Sequence, residues 1–477
     1  MVCAVEVAGS RNLVPACTAR VQEGMQVRTN TPAVESVRQA SLGLLLAEHA
    51  GDCEGPCRSG CPARLDIPRM LRFVASGRMD LAARLVREQL VLPAVLGEIC
   101  PAPCEKVCRL GRHDSPVAIC RLQRTVAACD TKEEAAAALP PNPNDRRVAI
   151  VGAGPCGLAA AALLARSGVR SVVFDKKQAA GGGLLEAAMT GRLSREILAQ
   201  EINRVFSSEQ VEFRGGMVVG QEIALERLRE EFDAVLFAAG EGNAELHGAV
   251  PCPDRIIAGP SNHSSSSPTP GFFKAGISGT RRKVAARAIA EGRDAAKEIL
   301  RFLSGAKDDG HQRRFESRMG ALQEGELAEF LNPQSGPVVA ARATPDGKWS
   351  LEQARQEAKR CLHCECLKAD VCKLRDLATT FDVKQRQGVG LRRHFTRKRL
   401  PGGIRVELGK CILCGRCLSP AESTRAGHSS RLTFAWRGAH TRIEAPFGRD
   451  FGEVLGLRGE EIAALCPTGA FALEHAD

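Results

Sequence analysis

Hydrophobic and polar positions divide the chain into stretches with different periods. Residues 34–48 carry apolar side chains at three- and four-residue spacings, which predicts an amphipathic helix. Residues 62–130 continue as short helices between loops that contain cysteine. In residues 146–177 the pattern changes to a buried strand, a glycine-rich turn, an alanine-rich helix and a second strand. A further buried strand is predicted at 232–240 and an amphipathic helix at 284–303.

This succession predicts an α/β protein with a Rossmann-like domain in the middle of the chain. A Pro- and Asn-rich segment precedes this domain and a polar, irregular segment follows it, so both are predicted to be linkers. The predicted divisions are residues 1–48, 49–130, the linker 131–145, the Rossmann-like domain 146–303, the linker 304–349 and the C-terminal region 350–477.

The composition narrows the class of protein. Of the 477 residues 44% are hydrophobic, so folded cores are expected. No apolar run reaches the ~18 residues that a membrane helix needs, and no secretion signal is evident, so we expect a cytoplasmic protein. The net charge of +11 would suit an acidic partner or nucleic acid. Because aromatic residues make up only 4% of the chain, we favour a solvated basic surface and expect no nucleic-acid binding.

A glycine-rich turn links the first Rossmann strand to its helix. Gly152, Gly154 and Gly157 form a G-x-G-x-x-G sequence with Pro155 after the second glycine, and Asp175 ends the next strand. In this context the glycines let the backbone approach a pyrophosphate at the helix N-terminus, and the carboxylate accepts a hydrogen bond from a ribose. The motif predicts a dinucleotide site without choosing between FAD and NAD.

Residues 146–240 and 268–303 resemble the two FAD-binding halves of the glutamate synthase small-subunit family. The resemblance implies FAD as the cofactor, and it adds Gly276 of the closing segment to the cofactor-binding residues. Two departures from the family pattern stand out. Only residues 241–268 join the halves, where the family inserts an NAD(P)H-binding domain, and Ile277 stands where the family has an acidic residue near the flavin ribityl chain.

The chain contains 20 cysteines, mostly in tight clusters, which in a cytoplasmic protein of this size indicates metal binding rather than disulfides. The clearest set is Cys411, Cys414 and Cys417 at x2 spacings, with a distant Cys466 before a proline. This spacing is typical of four-iron clusters and unusual for zinc, the main alternative. KCILCGRCL and CPTGA resemble the four-iron segment in the large iron–sulfur subunit of respiratory complex I and in related hydrogenase and formate dehydrogenase subunits.

Six cysteines in residues 53–108 form a second group. GCPARLDIPRML and GEICPAPCEKVC resemble the two-cluster helical domain of glutamate synthase small subunits and of dihydropyrimidine dehydrogenase. The leading cysteine of the first cluster is absent near Ala50, and His49 and Cys120 are the candidate substitutes. The resemblance implies that one four-iron cluster takes Cys53, Cys57 and Cys108, and that the other takes Cys61, Cys100 and Cys104, with Gln123 as its fourth ligand.

The N-terminal residues also resemble the complex I subunit, in which a two-iron domain leads into a helix and then a cluster-ligating histidine. Here that arrangement corresponds to His49-x3-Cys53. Cys3 and Cys17 match the last two ligands of the two-iron cluster. Because the chain supplies only two of its four ligands, we predict no two-iron cluster and interpret residues 1–48 as the remnant of such a domain plus a helix.

A further set consists of Cys361, Cys364, Cys366 and Cys372. Its end resembles the complex I segment that carries the remaining cysteines of the histidine-containing cluster. Four thiols in so short a segment suffice for one cluster, and we favour iron–sulfur. The x1 spacing leaves zinc as an alternative, with His363 as a further ligand.

Together these features predict an FAD-dependent oxidoreductase, with no separate catalytic residue identified. A Rossmann-like FAD-binding domain is flanked by an N-terminal α-helical two-cluster iron–sulfur domain and a C-terminal ferredoxin-like iron–sulfur region. Electrons would pass between FAD and three or four 4Fe-4S clusters. Because no second glycine-rich fingerprint is present, a partner subunit resembling an NADH dehydrogenase, hydrogenase or formate dehydrogenase is expected to handle NAD(P)H, H2 or formate.

Three rival functions remain. The chain could be a self-sufficient NADPH-dependent enzyme of the glutamate synthase small-subunit type, against which the missing NAD(P)H domain argues. It could instead be a non-enzymatic iron–sulfur scaffold whose flavin site has decayed. A zinc-binding nucleic-acid protein is the third.

Overall fold

The computed structural model describes residues 2–129, 145–240, 271–276, 284–305, 314–331, 349–385, 392–418 and 432–474. Their helices are α1 (Pro32–Ala47), α2 (Pro56–Gly60), α3 (Ile67–Ala75), α4 (Met79–Leu90), α5 (Pro93–Ile99), α6 (Pro103–Lys106), α7 (Ile119–Ala127), α8 (Pro155–Arg166), α9 (Gly183–Met189), α10 (Arg195–Phe206), α11 (Leu225–Glu231), α12 (Ala285–Ser304), α13 (Glu326–Phe330), α14 (Leu351–Ala358), α15 (Lys373–Thr380), α16 (Phe451–Leu455) and α17 (Gly459–Leu465). Their strands are β1 (Ala4–Val7), β2 (Val14–Pro15), β3 (Val27–Arg28), β4 (Arg147–Val151), β5 (Arg170–Asp175), β6 (Val211–Gly215), β7 (Ala234–Phe237), β8 (Phe272–Lys274), β9 (Lys398–Leu400), β10 (Ile404–Val406), β11 (Thr433–Ala435), β12 (Arg442–Glu444) and β13 (Phe471–Leu473).

The chain divides into two compact units. The first unit comprises Met1–Pro56, Gln312–Gly336 and Leu362–Asp477, and the second comprises Cys57–His311 and Pro337–Cys361. The first unit is therefore discontinuous in sequence, and one unit boundary falls inside the cysteine group at 53–108. The divisions expected after residues 48 and 349 follow changes of pattern along the chain, whereas the units are defined by contacts.

A parallel five-stranded sheet with the order β6-β5-β4-β7-β8 forms the Rossmann-like part of the second unit. Apolar side chains on one face of this sheet form a core with Phe174 and Phe237 at its centre. Helix α8 connects β4 to β5 and packs against α12. Their close approach needs Gly292, because a Cβ there would clash with the carbonyl oxygen of Cys156. The predicted mixed α/β fold with a Rossmann-type sheet is confirmed.

Helices α2 to α7 of the second unit precede this sheet in the chain. The side chain of Asp66 caps α3 by accepting a hydrogen bond from the Arg69 N–H, which satisfies one of the free donors at the helix start. Helix α14 packs against α3 and α7, although it follows the Rossmann-like part in sequence. Glu357 of α14 accepts a hydrogen bond of 2.9 Å from the Ala118 N–H, and Arg360 pairs with Asp114 at 3.0 Å.

The first unit is built from short strands around two apolar cores. Strand β1 pairs antiparallel with β2 and β3, and α1 packs against both β1 and α15. Leu42 and Leu46 of α1 bury their side chains with Leu374 in one core. The strands β9, β10 and β13 form an antiparallel sheet over the other core, which contains Phe451 and Phe471. Among the described helices, none combines the length and apolar character needed to cross a membrane.

Candidate iron–sulfur and nucleotide sites

Four cysteines of the first unit line one pocket. Cys411, Cys414 and Cys417 lie on the loop after β10, and Cys466 follows the last residue of α17. The loop turns sharply at Gly415, whose φ of +74° is a conformation that favours glycine. Four thiols around one pocket are the donor set that a four-iron cluster takes.

The electrostatics of this pocket also suit a positively charged metal core. Burial and the neighbouring thiols raise the pKa of Cys417 to about 12. Burial likewise raises the pKa of Cys411, although the Leu413 N–H, 3.3 Å from its sulfur, opposes that shift. The thiols therefore resist ionisation together, and bound metal would supply the charge that lets them bind as thiolates.

Three candidate ligand side chains lie near one another in the first unit: Cys53, Cys366 and Cys372. The Cys366 N–H donates to the Cys53 carbonyl at 3.3 Å, and Asp52 and Glu365, just before them, form a parallel bridge. The pKa of Cys53 is raised to about 12. Burial is the main cause, and negative charge on Cys366 and Cys372 adds to it. The Cys53 sulfur also accepts a hydrogen bond of 3.3 Å from the Ser317 N–H.

His49 is buried and lies four residues before Cys53. Burial, helped by the charge of Lys410, lowers the pKa of His49 to about 3, so its imidazole is neutral at physiological pH. A neutral imidazole is the form that binds metal. Cys53 thus lies near cysteines far along the chain, the same segment to which the resemblance to the histidine-containing complex I cluster points. The resemblance to the two-cluster helical domain groups it with Cys57 and Cys108 instead.

A third set lies in the helical part of the second unit. Cys120 hydrogen-bonds to the thiols of Cys100 and Cys104. The contact with Cys100 lowers the pKa of Cys120, but the contact with Cys104 and burial outweigh it and raise that pKa. Cys61 lies close enough to Cys100 for a charge on Cys100 to raise the pKa of Cys61. The Cys61 sulfur also accepts hydrogen bonds from the backbone N–H groups of residues 63–65. Hydrogen bonds of this kind hold cluster-ligating sulfurs in place. Cys61, Cys100 and Cys104 were grouped by resemblance, but the position of Cys120 beside them was not foreseen.

Gln123, the fourth ligand implied by resemblance, is engaged elsewhere. Its amide donates to the Pro93 carbonyl at 2.8 Å, and the side chain is buried. Cys120 lies three residues earlier in α7, so both side chains are on the same face of that helix. This helical spacing is the sequence signal that could have identified Cys120 as a candidate ligand at this place.

Cys57, Cys108 and Cys361 also belong to the second unit. Helix α2, which contains Cys57, packs so closely against the segment before Cys108 that a Cβ at Gly60 would lie 2.6 Å from Val107 Cγ2. Cys361 directly follows the residues that anchor α14 to the helical part. Cys364 lies in the first unit. It is close enough to the buried Arg397 for a charge on its thiol to favour the protonated guanidinium.

The N-terminal pair Cys3 and Cys17 is also brought together. The two sulfurs lie 3.4 Å apart in the small sheet formed by β1, β2 and β3. Hydrogen bonding to Cys17 lowers the pKa of Cys3, and the same contact raises the pKa of Cys17. This geometry is compatible with a shared metal-binding role or with a simple thiol pair.

The glycine-rich turn has the geometry of a dinucleotide loop. Gly152 has a φ of +112°, and a Cβ there would lie 2.6 Å from the Ala238 carbonyl oxygen. A Cβ at Gly157 would clash with the Gly152 carbonyl oxygen, so the helix can start close to the strand only with glycine. A Cβ at Gly154 would meet nothing nearer than Gly182 Cα at 4.0 Å, which leaves room for a phosphate. Pro155 then begins α8.

Two more predicted nucleotide-binding residues flank this turn. Asp175 ends β5, and its carboxylate accepts hydrogen bonds from Ala153 N–H at 2.7 Å and Lys177 N–H at 2.8 Å. The acceptor capacity that remains can serve a ribose hydroxyl. Gly276, with a φ of +77°, approaches Cys156 so closely that a Cβ would lie 3.1 Å from the cysteine Cβ. Ile277 lies outside the described residues.

Zinc was the main alternative for the cysteine sets. Within the described residues, no three His, Cys, Asp or Glu side chains form a group suited to a single metal ion.

Three family models match separate parts of the chain. Residues 1–32 match a 2Fe-2S iron–sulfur cluster binding domain, and residues 29–135 match domain II of dihydropyrimidine dehydrogenase, a 4Fe-4S cluster domain. Residues 150–197 match an NAD(P)-binding Rossmann-like domain. The first match agrees with the resemblance of the N-terminal residues to a two-iron domain.

Similar proteins of known activity are redox enzymes. The chain is 35% identical over 196 residues to the NADPH-Fe(3+) oxidoreductase subunit beta of Geobacter sulfurreducens, covering 40% of this chain and 29% of that protein. It is 34% identical over 211 residues to the NADP(+)-dependent formate dehydrogenase subunit beta of Moorella thermoacetica, covering 39% and 29%. It is 34% identical over 227 residues to the glutamate synthase [NADPH] small chain of Mycobacterium tuberculosis, covering 47% and 44%.

The chain thus spans less than half the length of these relatives. What they share with it is a set of domains rather than a whole protein. The domains matched in this chain are iron–sulfur cluster domains followed by a Rossmann-like nucleotide-binding domain.

Proposed function

We propose that this chain is the electron-transfer subunit of a redox complex and passes electrons between FAD and several 4Fe-4S clusters. One observation carries the proposal: two of the candidate cluster sites adjoin each other in the first unit. Lys410 precedes Cys411 of one set, and its Nζ and the Cys366 sulfur of the other set both lie against Gly469. Adjacent cluster sites suit stepwise transfer of single electrons.

The placement of the ligand side chains supports a specific allocation. Two clusters would lie in the first unit, and the second unit would hold at least one more, with Cys57, Cys108 and Cys361 left for another. The three better-defined sets are His49, Cys53, Cys366 and Cys372, then Cys411, Cys414, Cys417 and Cys466, and finally Cys61, Cys100, Cys104 and Cys120, with Gln123 as the alternative to Cys120.

Bound FAD would exchange electron pairs with a donor and single electrons with the clusters. The protein's own contribution is to position and tune these groups. The N-terminus of α8 would hold the pyrophosphate, and Asp175 would hold the ribose. Buried cations and backbone N–H groups around the sulfurs would set the cluster potentials.

The nucleotide could instead be a nicotinamide dinucleotide, because the matching family model is described as NAD(P)-binding. Asp175 disfavours NADP(H) at this turn, since its carboxylate would repel the 2′-phosphate. FAD and NAD(H) are therefore the two candidates. Heat-denatured protein that releases FAD supports the first, and flavin-free protein that binds NADH supports the second.

The partner would be the subunit that reacts with the terminal substrate. Relatives are named as beta subunits of a formate dehydrogenase and an Fe(3+) oxidoreductase, which favours a partner that resembles a formate dehydrogenase, hydrogenase or NADH dehydrogenase. The expected location is the cytoplasm, because the thiols of the cluster sets must stay reduced.

The test is anaerobic purification followed by counting iron, sulfide and flavin per chain. The proposal predicts at least about twelve irons, four for each well-defined set, together with one FAD. Fewer than about eight irons would contradict the multi-cluster assignment. Zinc in place of iron would favour the nucleic-acid-binding rival, and iron without flavin would favour the scaffold. Cys129→Ser, outside every set, should leave all counts unchanged.

A further inference from the structure

Lys410 is a fully buried cation in the first unit, with 1% of its side chain exposed. Burial alone would favour the neutral amine, so its charge needs compensation. Glu407, buried to the same extent, forms an ion pair with it. Arg397 also binds Glu407, with 2.7 Å between Nε and Oε1. The three side chains form a buried triad with a net charge of +1.

The position of Lys410 links the two cysteine sets of the first unit. Its carbonyl accepts a hydrogen bond of 2.9 Å from the Thr468 hydroxyl, which lies 3.7 Å from the Cys466 sulfur. The side chain extends in the other direction and packs on Gly51, between His49 and Cys53.

The end of this side chain lies near Cys366. A Cβ at Gly469 would clash with the Cys366 sulfur and would lie 3.8 Å from Lys410 Nζ, so both groups surround the same glycine. A larger residue at Gly51 or Gly469 could not be accommodated without moving Lys410 or Cys366. The sequence thus keeps a cation within a few ångströms of one ligand set while its backbone supports the other.

We propose that Lys410 raises the reduction potential of the cluster bound by His49, Cys53, Cys366 and Cys372 above the value it would otherwise have. This inference rests on the proposed function, because it needs the cluster to be present. Reduction adds negative charge to a cluster, and a buried positive charge nearby stabilises that form. Since Glu407 pairs with Arg397 as well as with Lys410, its charge offsets only part of this effect.

The test is a redox titration of the intact protein followed by EPR. The signal of this cluster is assigned by its loss in Cys366→Ala, and the signal of its neighbour by its loss in Cys414→Ala. In Lys410→Met the cluster that gives the first signal should be harder to reduce. At the wild-type midpoint potential its ratio of reduced to oxidised form should be on the order of tenfold lower, which corresponds to a midpoint potential lower by about 59 mV. The neighbouring signal should shift less. Lys384→Met removes an exposed lysine of the same unit and should shift neither signal.

A charge cycle separates tuning from a purely structural role. Glu407→Gln should shift the first signal to higher potential, and Lys410→Met combined with Glu407→Gln should return it toward the wild-type value, because the net charge is again +1. Assembled clusters with unchanged potentials in all three variants would overturn the inference. If Lys410→Met loses its iron, Glu407→Gln alone tests the inference. A shift of the first signal to higher potential supports it, and a shift to lower potential or no shift overturns it. Wild-type protein without clusters would instead refute the proposed function.

Discussion

Cys366 donates its backbone N–H to the carbonyl of Cys53, although most of the second unit lies between them in sequence. This contact brings together two segments that are far apart in sequence. Cys372 lies near Cys53 as well, so the three thiols come from the sequence before and after the second unit. His49 is the fourth ligand of the proposed set.

Cys53 and Cys366 should therefore bind the same cluster. We expect Cys53→Ala and Cys366→Ala each to lower the iron content by about four per chain, and the double variant to lose no more than either single variant. Iron analysis of anaerobically purified protein measures this. If Cys53→Ala is instead non-additive with Cys108→Ala, the grouping by sequence proximity is the right one.

Two glycines of the nucleotide turn should respond differently to alanine. Gly157→Ala places a Cβ against the Gly152 carbonyl, and we expect a loss of about 1–3 kcal/mol in the free energy of unfolding. Gly154→Ala has room for its Cβ and should fold normally, but the methyl group should occupy phosphate space and lower the bound FAD. Thermal unfolding and released flavin separate the two effects. Full FAD occupancy in Gly154→Ala would show that the nucleotide binds elsewhere.

The sequence predicts the Rossmann-like part well because its signals are local. The strand, turn and helix expected in residues 146–177 appear as β4, α8 and β5, with Pro155 as the first residue of the helix. Alternating burial and glycine positions act over a few residues, so no distant contact is needed to recognise them. The expectation of FAD as the cofactor came from the resemblance to the glutamate synthase small-subunit family and not from these local signals.

The cysteine grouping depends on contacts that spacing does not encode. Cys53 and Cys57 are four residues apart in sequence, yet they belong to different units. A C-x3-C pattern gave no sign that the chain leaves one unit at Pro56. Cys120 was likewise considered only for the first cluster, because its contacts with Cys100 and Cys104 depend on how α7 packs.

Glu326 should make the stability of the first unit depend on acid pH. Burial alone would raise its pKa, but hydrogen bonds from Arg392 and from the N–H groups of Phe395 and Gln323 outweigh burial and lower it from 4.5 to about 2. A lowered carboxyl pKa stabilises the fold above the unfolded value and loses that contribution as pH falls toward the folded value.

We therefore expect Glu326→Gln to be less stable than wild type from pH 8 to 5, with the difference shrinking between pH 4.5 and about 2. Urea unfolding followed by circular dichroism measures this difference. Glu453→Gln removes the same charge from an exposed position and should match wild type throughout. A difference between Glu326→Gln and wild type that stays constant down to pH 3 would show that the ion pair with Arg392 is not responsible.

Cys120 and Gln123 provide the last test, because they are one turn apart on α7 and compete for one role. Cys120 touches the thiols of Cys100 and Cys104, whereas the Gln123 amide is bound to the Pro93 carbonyl. We expect Cys120→Ala to lower the iron content by about four per chain. Gln123→Ala should keep its iron and lose about 1–3 kcal/mol of stability through the unpaired carbonyl. The reverse result, iron lost only in Gln123→Ala, would assign the fourth ligand to glutamine and require its side chain to leave Pro93 when the cluster forms.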